Sequence, residues 1–440
     1  MDGAHIDPDL VDACVHCGFC LPACPTYQLW GEEMDSPRGR IHLMRGLLDG
    51  DVLDGAVAGH VDACLGCLAC VTACPSGVQY GALIEATRVE VEVHHRRKRS
   101  DRAVRALVFA LFPHPRRLRA LVPVLRVAQR TRLDRLVTRS RLAHRLAPRL
   151  VAMAGLAPPM PERSPAPLVP STAAVGPRRG RVTLLTGCVQ GTFFPNVNEA
   201  TRRVLAAEGL EVDAPAGQGC CGALSQHAGR HDETLAFARA LIDAIDATAS
   251  DAIVTNAAGC GSTLKGYGDL LRDHPAYASR AAAFAAKVVD ATELLDQLGP
   301  VAVRHPLPVT VAYHDACHLS HGQGVRAEPR RLLLGVPGLT LREVADGDTC
   351  CGSAGVYNIL QPEPASELGA RKARAVRATG AELLVAGNPG CLMQIRASLA
   401  NDGGADLPMV HTMELLDASL SAAATIGGLT IRREPAPPPS

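Results

Sequence analysis

The chain has 440 residues, of which 47% are hydrophobic and 20% are charged, and its formal net charge is +1. A length of this order predicts two to four domains with ordinary hydrophobic cores. Aromatic residues make up only 3% of the chain, which argues against base-stacking platforms and therefore against a single-stranded nucleic acid partner.

The amino terminus lacks both the basic start and the apolar core of a secretory signal. No apolar stretch approaches the roughly 18 residues that a membrane-spanning helix needs. We therefore expect a cytoplasmic protein, with peripheral contact at the inner face of the cytoplasmic membrane as a further prediction. Thiols stay reduced in that compartment, so the 16 cysteines, which fall into tight groups, are interpreted as metal ligands.

Residues 1–93 carry two copies of the run C-x2-C-x2-C-x3-C-P. Such runs hold cubane iron–sulfur clusters, and the cysteine before proline reaches the other cluster in two-cluster proteins. Zinc sites prefer two separated pairs of ligands instead. The pattern predicts two [4Fe-4S] clusters with crossed ligation. The predicted ligands are Cys14, Cys17, Cys20 and Cys74 for the first cluster, and Cys64, Cys67, Cys70 and Cys24 for the second.

The remainder of this first domain is predicted to be helical. Pro37 suits a first helical turn with Ser36 as its cap, and Gly50 is placed to end that helix. Another helix is expected to start near Tyr80 and to run beyond Val91. Residues 1–93 are therefore interpreted as an α-helical ferredoxin domain rather than a small β-rich one.

Residues 94–180 form a basic segment followed by a linker. Between His94 and Arg149 there are 17 Lys or Arg and only 2 acidic residues. Prolines at 113, 115 and 123 are expected to break this segment into short helices. The positive charge of this segment is compatible with three interpretations. They are contact with phospholipid headgroups, docking of an acidic partner subunit, and a solvated face packed on its own protein. Residues 155–180, rich in Pro and Ala, predict a semi-rigid linker.

Residues 181–300 and 301–425 are interpreted as two copies of one unit, followed by a tail over 426–440. Each copy has a single cysteine, then Cys-Cys-Gly, then another single cysteine. The intervals are 32 and 39 residues in the first copy and 33 and 40 in the second, which indicates duplication. The cysteines concerned are Cys188, Cys220, Cys221, Cys260, Cys317, Cys350, Cys351 and Cys391.

Both copies alternate apolar β runs with helical segments. The β runs cover 182–185 and 252–255 in the first copy, and 309–312 and 382–385 in the second. This alternation predicts α/β layers with largely parallel sheets. The cysteines then lie just past strand ends, where α/β folds place ligands. The predicted fold class is multidomain α + α/β, a helical ferredoxin domain followed by two duplicated Cys-rich α/β domains.

The residues alone leave the chemistry of the Cys-Cys-Gly groups open. Adjacent cysteines do not easily serve two corners of one ordinary cube, so they indicate either unusual ligation of a further cluster or a redox thiol pair. Buried structural cysteines in a duplicated domain are the alternative. His314, His318 and His321 surround Cys317, and both a ligand role and ordinary hydrogen bonding are compatible with their positions.

Absent motifs narrow the function further. The chain has no G-x-x-x-x-G-K-[ST], no G-x-S-x-G and no H-E-x-x-H, so no hydrolase centre is visible. We interpret it as carrying clusters without a two-electron cofactor of its own. Organic substrates commonly give up two electrons to a flavin, and FAD is therefore predicted to sit on a partner polypeptide.

Several runs of this sequence resemble the iron–sulfur subunit of bacterial glycolate oxidase, a glycolate dehydrogenase. They are Cys14–Cys20, Cys24–Leu29, Ser36–Ile41, Cys74–Tyr80, Ala258–Gly261, Lys265–Gly268 and Cys350–Gly355. The resemblance implies two Cys-rich domains like those of heterodisulfide reductase. It also implies FAD-containing partner subunits that oxidise glycolate to glyoxylate, electron transfer through this subunit to an acceptor such as a membrane quinone, and cluster ligation by the eight amino-terminal cysteines.

The chain departs from heterodisulfide reductase at the end of each Cys-rich unit, where that enzyme carries C-x-x-C and binds non-cubane clusters. Here Gly261-Ser262-Thr263 follow Cys260, and Leu392-Met393-Gln394 follow Cys391, so the fifth cysteine is missing in both copies.

The alternatives to a glycolate oxidase subunit are a subunit of a lactate or glycerol 3-phosphate dehydrogenase, or a disulfide reductase that uses the Cys-rich units directly. A non-redox scaffold belongs to another class, and the near-neutral charge argues against it.

Overall fold

A computed structural model describes residues 5–160, 168–245, 247–403 and 406–431. In these ranges the chain is a mixture of helices and sheets, with a helical amino-terminal domain and two α/β units. Residues 161–167 of the predicted linker and the end of the predicted tail, 432–440, lie outside the described residues. Within the described ranges, no helix combines the length and apolar character needed to cross a bilayer.

Short helices joined by cysteine-bearing loops build the amino-terminal domain. They are α1 (Pro8–Asp12), α2 (Pro25–Trp30), α3 (Pro37–Leu48), α4 (Gly55–Ala63), α5 (Ala69–Ala73) and α6 (Tyr80–His94). The cap predicted for α3 is present, because the backbone N–H of Gly39 donates to the Ser36 hydroxyl at 3.0 Å. Met44, Leu83 and Ile84 are buried between the helices, so α3 and α6 form the core that fixes the two cysteine loops.

The basic segment folds into consecutive helices that lie against the α/β units. They are α7 (Arg99–Leu111), α8 (Pro115–Arg130), α9 (Leu133–Arg139), α10 (Arg141–Leu146) and α11 (Pro148–Gly155). Contrary to the sequence-based expectation, Pro123 does not end a helix but lies inside α8. Pro123 and Arg119, whose carbonyl loses its helical partner, both lie on the exposed side of α8, where water can satisfy that carbonyl.

Part of the positive charge of this segment is neutralised by the protein itself. Arg97 contacts Asp62 and donates to Glu92 at 3.2 Å, and Arg105 donates to the same Glu92 at 2.8 Å. Arg149 pairs with Asp101 at 2.7 Å. The arginines of the segment with exposed side chains, by contrast, are Arg96, Arg99, Arg102, Arg116, Arg117, Arg119, Arg130, Arg132, Arg135, Arg141 and Arg145. The third interpretation of the sequence therefore applies to Arg97, Arg105 and Arg149, and the outer surface of the segment is left available for a partner or a lipid surface.

The first α/β unit is a five-stranded sheet, in the order β1-β3-β2-β4-β5, covered by helices. The strands are β1 (Ser171–Thr172), β2 (Gly180–Leu184), β3 (Leu210–Asp213), β4 (Ala252–Thr255) and β5 (Val288–Asp290). The helices are α12 (Val189–Phe193), α13 (Pro195–Ala207), α14 (Ala223–Gln226), α15 (His231–Ala244), α16 (Ala258–Lys265), α17 (Tyr267–Leu270), α18 (Ala278–Ala286) and α19 (Ala291–Leu298). Apart from the antiparallel edge strand β1, the neighbours pair in parallel.

The second unit has a four-stranded parallel sheet in the order β7-β6-β8-β9. The strands are β6 (Thr310–His314), β7 (Thr340–Glu343), β8 (Leu383–Ala386) and β9 (Met409–His411). The helices are α20 (Cys317–Ser320), α21 (Ala327–Leu334), α22 (Tyr357–Leu360), α23 (Pro362–Ala378), α24 (Pro389–Asn401) and α25 (Thr412–Leu420). Strands β10 (Thr425–Ile426) and β11 (Leu429–Thr430) form a hairpin in the described part of the predicted tail.

The two units repeat one topology, as the cysteine intervals predict. Strands β7, β6, β8 and β9 follow the same order as β3, β2, β4 and β5. The units also share one hydrophobic core, in which Val182 and Leu184 of the first sheet are clustered with Val311 and Leu383 of the second. Because the carboxyl ends of parallel strands meet at one edge of a sheet, the cysteine-bearing loops of each unit are gathered at that edge.

Candidate metal centres

The two amino-terminal cysteine loops have the same unusual backbone conformation. In each loop the residues two and four positions after the first cysteine have positive φ: His16 (52°) and Gly18 (87°) in the first loop, Gly66 (64°) and Leu68 (64°) in the second. Left-handed backbone is unfavourable for His and Leu, and persists only where the surroundings impose it. Such a turn curls the backbone of the loop, which suits the ligation of a compact inorganic cluster by successive cysteines.

Burial divides the eight amino-terminal thiols into two sets. Cys24, Cys64, Cys67 and Cys70 are buried, whereas Cys14, Cys17, Cys20 and Cys74 are exposed or half-buried. The buried four also line one small cavity between the two loops. These sets coincide with the two ligand sets that the sequence predicts from crossed ligation, with Cys24 beside the second loop.

Positive charge surrounds the buried set. Burial acts against the Cys64 thiolate, but the nearby guanidinium groups of Arg40 and Arg88 lower the pKa of this thiol. The backbone N–H of Gly66 donates to the Cys64 sulfur at 3.3 Å, and the Tyr80 hydroxyl donates to it at 3.6 Å. Cationic groups and N–H···S hydrogen bonds stabilise thiolates, so this pocket favours the ionised form that ligates metal.

The buried set is in direct contact with the second α/β unit. Cys67 and Leu65 pack in one cluster with Cys317, Cys350 and Tyr357. Burial raises the pKa of Cys67 far above its ordinary value, and the neighbouring Cys317 raises it further. The second cysteine loop is therefore adjacent to the first cysteine of the second unit, although 250 residues separate them in the sequence.

Within each α/β unit the four cysteines approach one another. The sulfurs of Cys188 and Cys220 are 3.5 Å apart, and those of Cys317 and Cys350 are 4.0 Å apart. Glycine is required after the second pair, since a Cβ at Gly352 would lie 2.6 Å from the Ala365 carbonyl oxygen. Free cysteines in such proximity are arranged as metal ligands or as a redox pair.

The second unit adds a histidine to this set. The candidate ligand atoms of His314, Cys351 and Cys391 all lie within 4.8 Å of one another, and all three residues are buried. The other histidines singled out in the sequence lie differently. His318 Nδ1 is 3.6 Å from the Cys317 sulfur, while His321 contacts the Thr72 hydroxyl at 2.9 Å and a backbone carbonyl at 3.0 Å.

All eight cysteines of the α/β units line one cavity of about 220 Å³. The basic segment covers this cavity with apolar side chains, among them Phe112, Leu118, Leu121 and Leu125. The sequence placed cysteines at the ends of strands but did not predict that the two sets face a common space. It also did not predict that the leucine side chains of the arginine-rich helix α8 would line the same cavity as these thiols.

The glycines beside the first Cys-Cys pair need a separate comment. Residues 217–222 formally match G-x-G-x-x-G, the pattern of dinucleotide-binding loops. That role requires a turn directly after a strand and a helix whose first turn meets phosphate. Here the run leads only into the four-residue helix α14, and two of its positions are Cys220 and Cys221, so the run belongs to the thiol site.

Three protein families match this chain. The 4Fe-4S dicluster domain matches residues 10–78, and the Cysteine-rich domain matches residues 182–265 and 311–396. Residues 100–157 match the family described as glycolate oxidase iron-sulfur subunit, linker region. The ferredoxin-like and duplicated cysteine-rich regions identified from the motifs are thereby confirmed, and the basic segment belongs to a defined family of its own.

Curated proteins resemble the chain over nearly its whole length. The probable glycolate oxidase iron-sulfur subunit of Bacillus subtilis is 38% identical over 410 residues, covering 92% of each chain. The glycolate oxidase iron-sulfur subunit of Escherichia coli is 37% identical, covering 93% of this chain and 94% of that protein. Lactate utilization protein A of an Exiguobacterium species is 31% identical, but covers 55% of this chain and 99% of its own length.

Proposed function

Because the chain belongs to the family of glycolate oxidase iron–sulfur subunits, we propose that it is the electron-transfer subunit of a complex that oxidises glycolate to glyoxylate. FAD-containing partner subunits take the two electrons from the substrate. This subunit conducts them to an acceptor, for which we propose a quinone. The observation that carries the proposal is the packing of Cys67 in one buried cluster with Cys317 and Cys350, which joins the amino-terminal thiols to the thiols around the cavity.

The amino-terminal residues fit the groups that this function needs. When bound, a [4Fe-4S] cluster accepts and releases one electron at a time. We propose Cys14, Cys17, Cys20 and Cys74 as ligands of one cluster and Cys24, Cys64, Cys67 and Cys70 as ligands of the other. The matching curvature of the two loops and the division of the thiols by burial support this assignment.

Burial also gives the thiol sets an order in space. The first set contains the exposed Cys17, the second set is enclosed, and Cys67 of the second set contacts Cys317 on the wall of the cavity. This arrangement supports a route that starts at the surface of the ferredoxin-like domain and ends among the cysteines of the α/β units. The flavin-containing partner would then dock at the start of the route.

Apolar side chains flank that starting point. Val15 is 68% exposed and Phe19 is 67% exposed, and both belong to the loop that carries Cys17. A large exposed aromatic side chain beside a redox centre is typical of an interface anchor. We therefore propose this loop as the docking surface for the FAD-containing subunits.

Replacing Phe19 by glutamate is expected to weaken binding of the flavoprotein subunits about 30-fold, because loss of an aromatic anchor commonly costs about 2 kcal/mol. Iron content should stay unchanged, since Phe19 supplies no ligand. Titration of the variant with the partner subunits measures the effect. Val303→Glu, at a 76% exposed position of the second unit, is the matched control. Equal affinities of the two variants would exclude this loop as the docking surface.

The cavity supports an apolar acceptor. A cavity of about 150 Å³ lined by apolar side chains holds a benzene ring, so the present cavity of about 220 Å³ has room for a single substituted ring. We propose that a quinone binds here and takes up two electrons from this subunit and two protons from water. The outer face of α8 exposes Val124 and Val127 among arginines, which supports contact of this segment with the lipid surface that holds such a molecule.

Replacing Leu121 by tryptophan is expected to lower quinone reduction about tenfold, because the larger side chain occupies the space of the acceptor ring. Reduction of a small water-soluble dye should be affected much less, since the dye can take electrons at the exposed loop. Steady-state assays with glycolate and each acceptor measure the split. Leu334→Trp, the same change at a 62% exposed position of α21 in the second unit, should leave both rates unchanged. Equal losses with quinone and dye would place the acceptor elsewhere.

The substrate itself is tested on the assembled complex. Co-purification of this chain with flavoprotein subunits, and dye reduction that depends on glycolate, are the expected results. The lactate-utilization relative matches only about half of this chain, whereas the glycolate oxidase relatives match nearly all of it. Dye reduction with lactate or glycerol 3-phosphate, but never with glycolate, would replace glycolate by one of those substrates.

A further inference from the structure

His314 is a buried polar residue with no ordinary role in the fold. It is the last residue of β6 and is 1% exposed. Among the described residues, neither ring nitrogen of His314 has a hydrogen-bond partner. A buried polar group without a partner costs about 1–3 kcal/mol, so an unpartnered imidazole at this depth indicates a missing ligand.

The groups that His314 faces are metal-ligating thiols. Its candidate ligand atom lies within 4.8 Å of those of Cys351 and Cys391. Cys350 precedes Cys351 in the chain, and its sulfur lies 4.0 Å from that of Cys317. Contacts with Cys350 and Cys391 lower the pKa of Cys351 far below its ordinary value, and the adjacent imidazole of His314 lowers it further. The second unit therefore presents four thiols to the cavity, and the imidazole of His314 lies beside two of them.

The first unit lacks this fifth donor. His314 precedes Cys317 by three residues, and the residue three before Cys188 is Leu185, which is buried in the hydrophobic core of its own unit. The duplicated units are thus alike in their cysteines but differ at this one position. The histidine is not needed by the fold, because the same strand end accommodates leucine in the first unit.

We propose that the second unit binds an iron–sulfur cluster in which His314 is a ligand, together with Cys317, Cys350, Cys351 and Cys391. The imidazole fills the role of the fifth cysteine that is missing from the sequence after Cys391. Zinc in a tetrahedral site uses four donors. Five donors, namely four thiols and one imidazole, suit a centre with several irons. Imidazole is an established replacement for thiolate on iron–sulfur clusters and raises their reduction potential.

The test uses the full chain, reconstituted anaerobically with iron and sulfide. Pulsed EPR should detect a strongly coupled nitrogen in the wild-type protein, and labelling of histidine with ¹⁵N should change that coupling. His314→Gln should abolish the coupling and lower the iron content. His305→Gln, which removes an exposed histidine of the same unit, is the matched control and should retain both.

A third variant separates ligation from folding. His314→Cys should keep the iron, lose the nitrogen coupling and shift the potential of this centre to a lower value, because thiolate replaces imidazole. Absence of the coupling from the wild-type protein, or its persistence in His314→Gln, would overturn the ligand role. Metal analysis that finds zinc, instead of iron and sulfide, in the second unit would contradict the proposed cluster.

Discussion

Replacing Arg40 by methionine should destabilise the amino-terminal domain by about 3–5 kcal/mol, the usual cost of breaking a buried ion pair on one side. The Arg40 side chain is 1% exposed, and its guanidinium group donates to the Asp35 carboxylate at 3.1 Å. It also donates to the backbone carbonyls of Asp35 and His60, each at 2.6 Å. Methionine fills a similar volume but removes the cation beside the buried Asp35 carboxylate and the donor to the His60 carbonyl.

Arg40 affects metal binding as well as folding. Burial acts against its charge, but the neighbouring Tyr80, Cys64 and Cys24 raise the pKa of Arg40 above its usual range. In return, Arg40 lowers the pKa of Cys64. Without it, Cys64 would hold its proton to a higher pH, and ligation of metal requires the thiolate. We therefore expect Arg40→Met to lose iron from the buried set more readily than the wild-type protein does.

Calorimetry of the full chain under anaerobic conditions measures the stability effect. For a domain of this size, a loss of about 3–5 kcal/mol lowers the midpoint of its transition by more than about 10 °C. Arg45→Met on the same helix is the matched control, because Arg45 pairs with Asp12 at the surface, where an ion pair contributes about 0–1 kcal/mol. Similar midpoints for the two variants would refute the structural role of Arg40.

Local patterns in the sequence were sufficient to predict much of this fold. Helix α3 follows from Ser36 and Pro37, which act within one turn of the chain, and the observed cap confirms that prediction. The duplicated units follow from equal cysteine intervals, because a repeated spacing reflects a repeated supersecondary unit. The family of 4Fe-4S dicluster domains that matches residues 10–78 confirms what two tight cysteine runs predict.

Features that depend on packing between distant segments could not be predicted in this way. Nothing in the spacing of Cys67 and Cys317 indicates that they are neighbours, since their contact arises when the ferredoxin-like domain docks on the second unit. Pro123 was expected to break a helix. Instead, the apolar face of α8 packs over the cavity, and Pro123 lies on the exposed face of the same helix. His314 was one of three histidines near Cys317, and it is distinguished by two ring nitrogens without hydrogen-bond partners and by its proximity to Cys351 and Cys391.

Replacing Cys24 by serine is expected to remove about four irons per chain, because the hydroxyl does not replace a thiolate on a [4Fe-4S] cluster. The informative question is which cluster is lost. Cys24 belongs to the first motif in the sequence, but it is buried and lines the same small cavity as Cys64, Cys67 and Cys70. The structure therefore predicts that Cys24→Ser and Cys67→Ser remove one and the same cluster.

Double variants decide between crossed and uncrossed ligation. With crossed ligation, Cys24→Ser combined with Cys67→Ser should remove about four irons, no more than either change alone, whereas Cys24→Ser combined with Cys17→Ser should remove about eight. Uncrossed ligation predicts the reverse pattern, because Cys24 and Cys17 would then serve a single cluster. Iron and sulfide analysis of the anaerobically purified chains measures the outcome, and any metal in the α/β units contributes equally to every variant. Crossed ligation also predicts that the two loops fold together, since each cluster would take its fourth thiolate from the other loop.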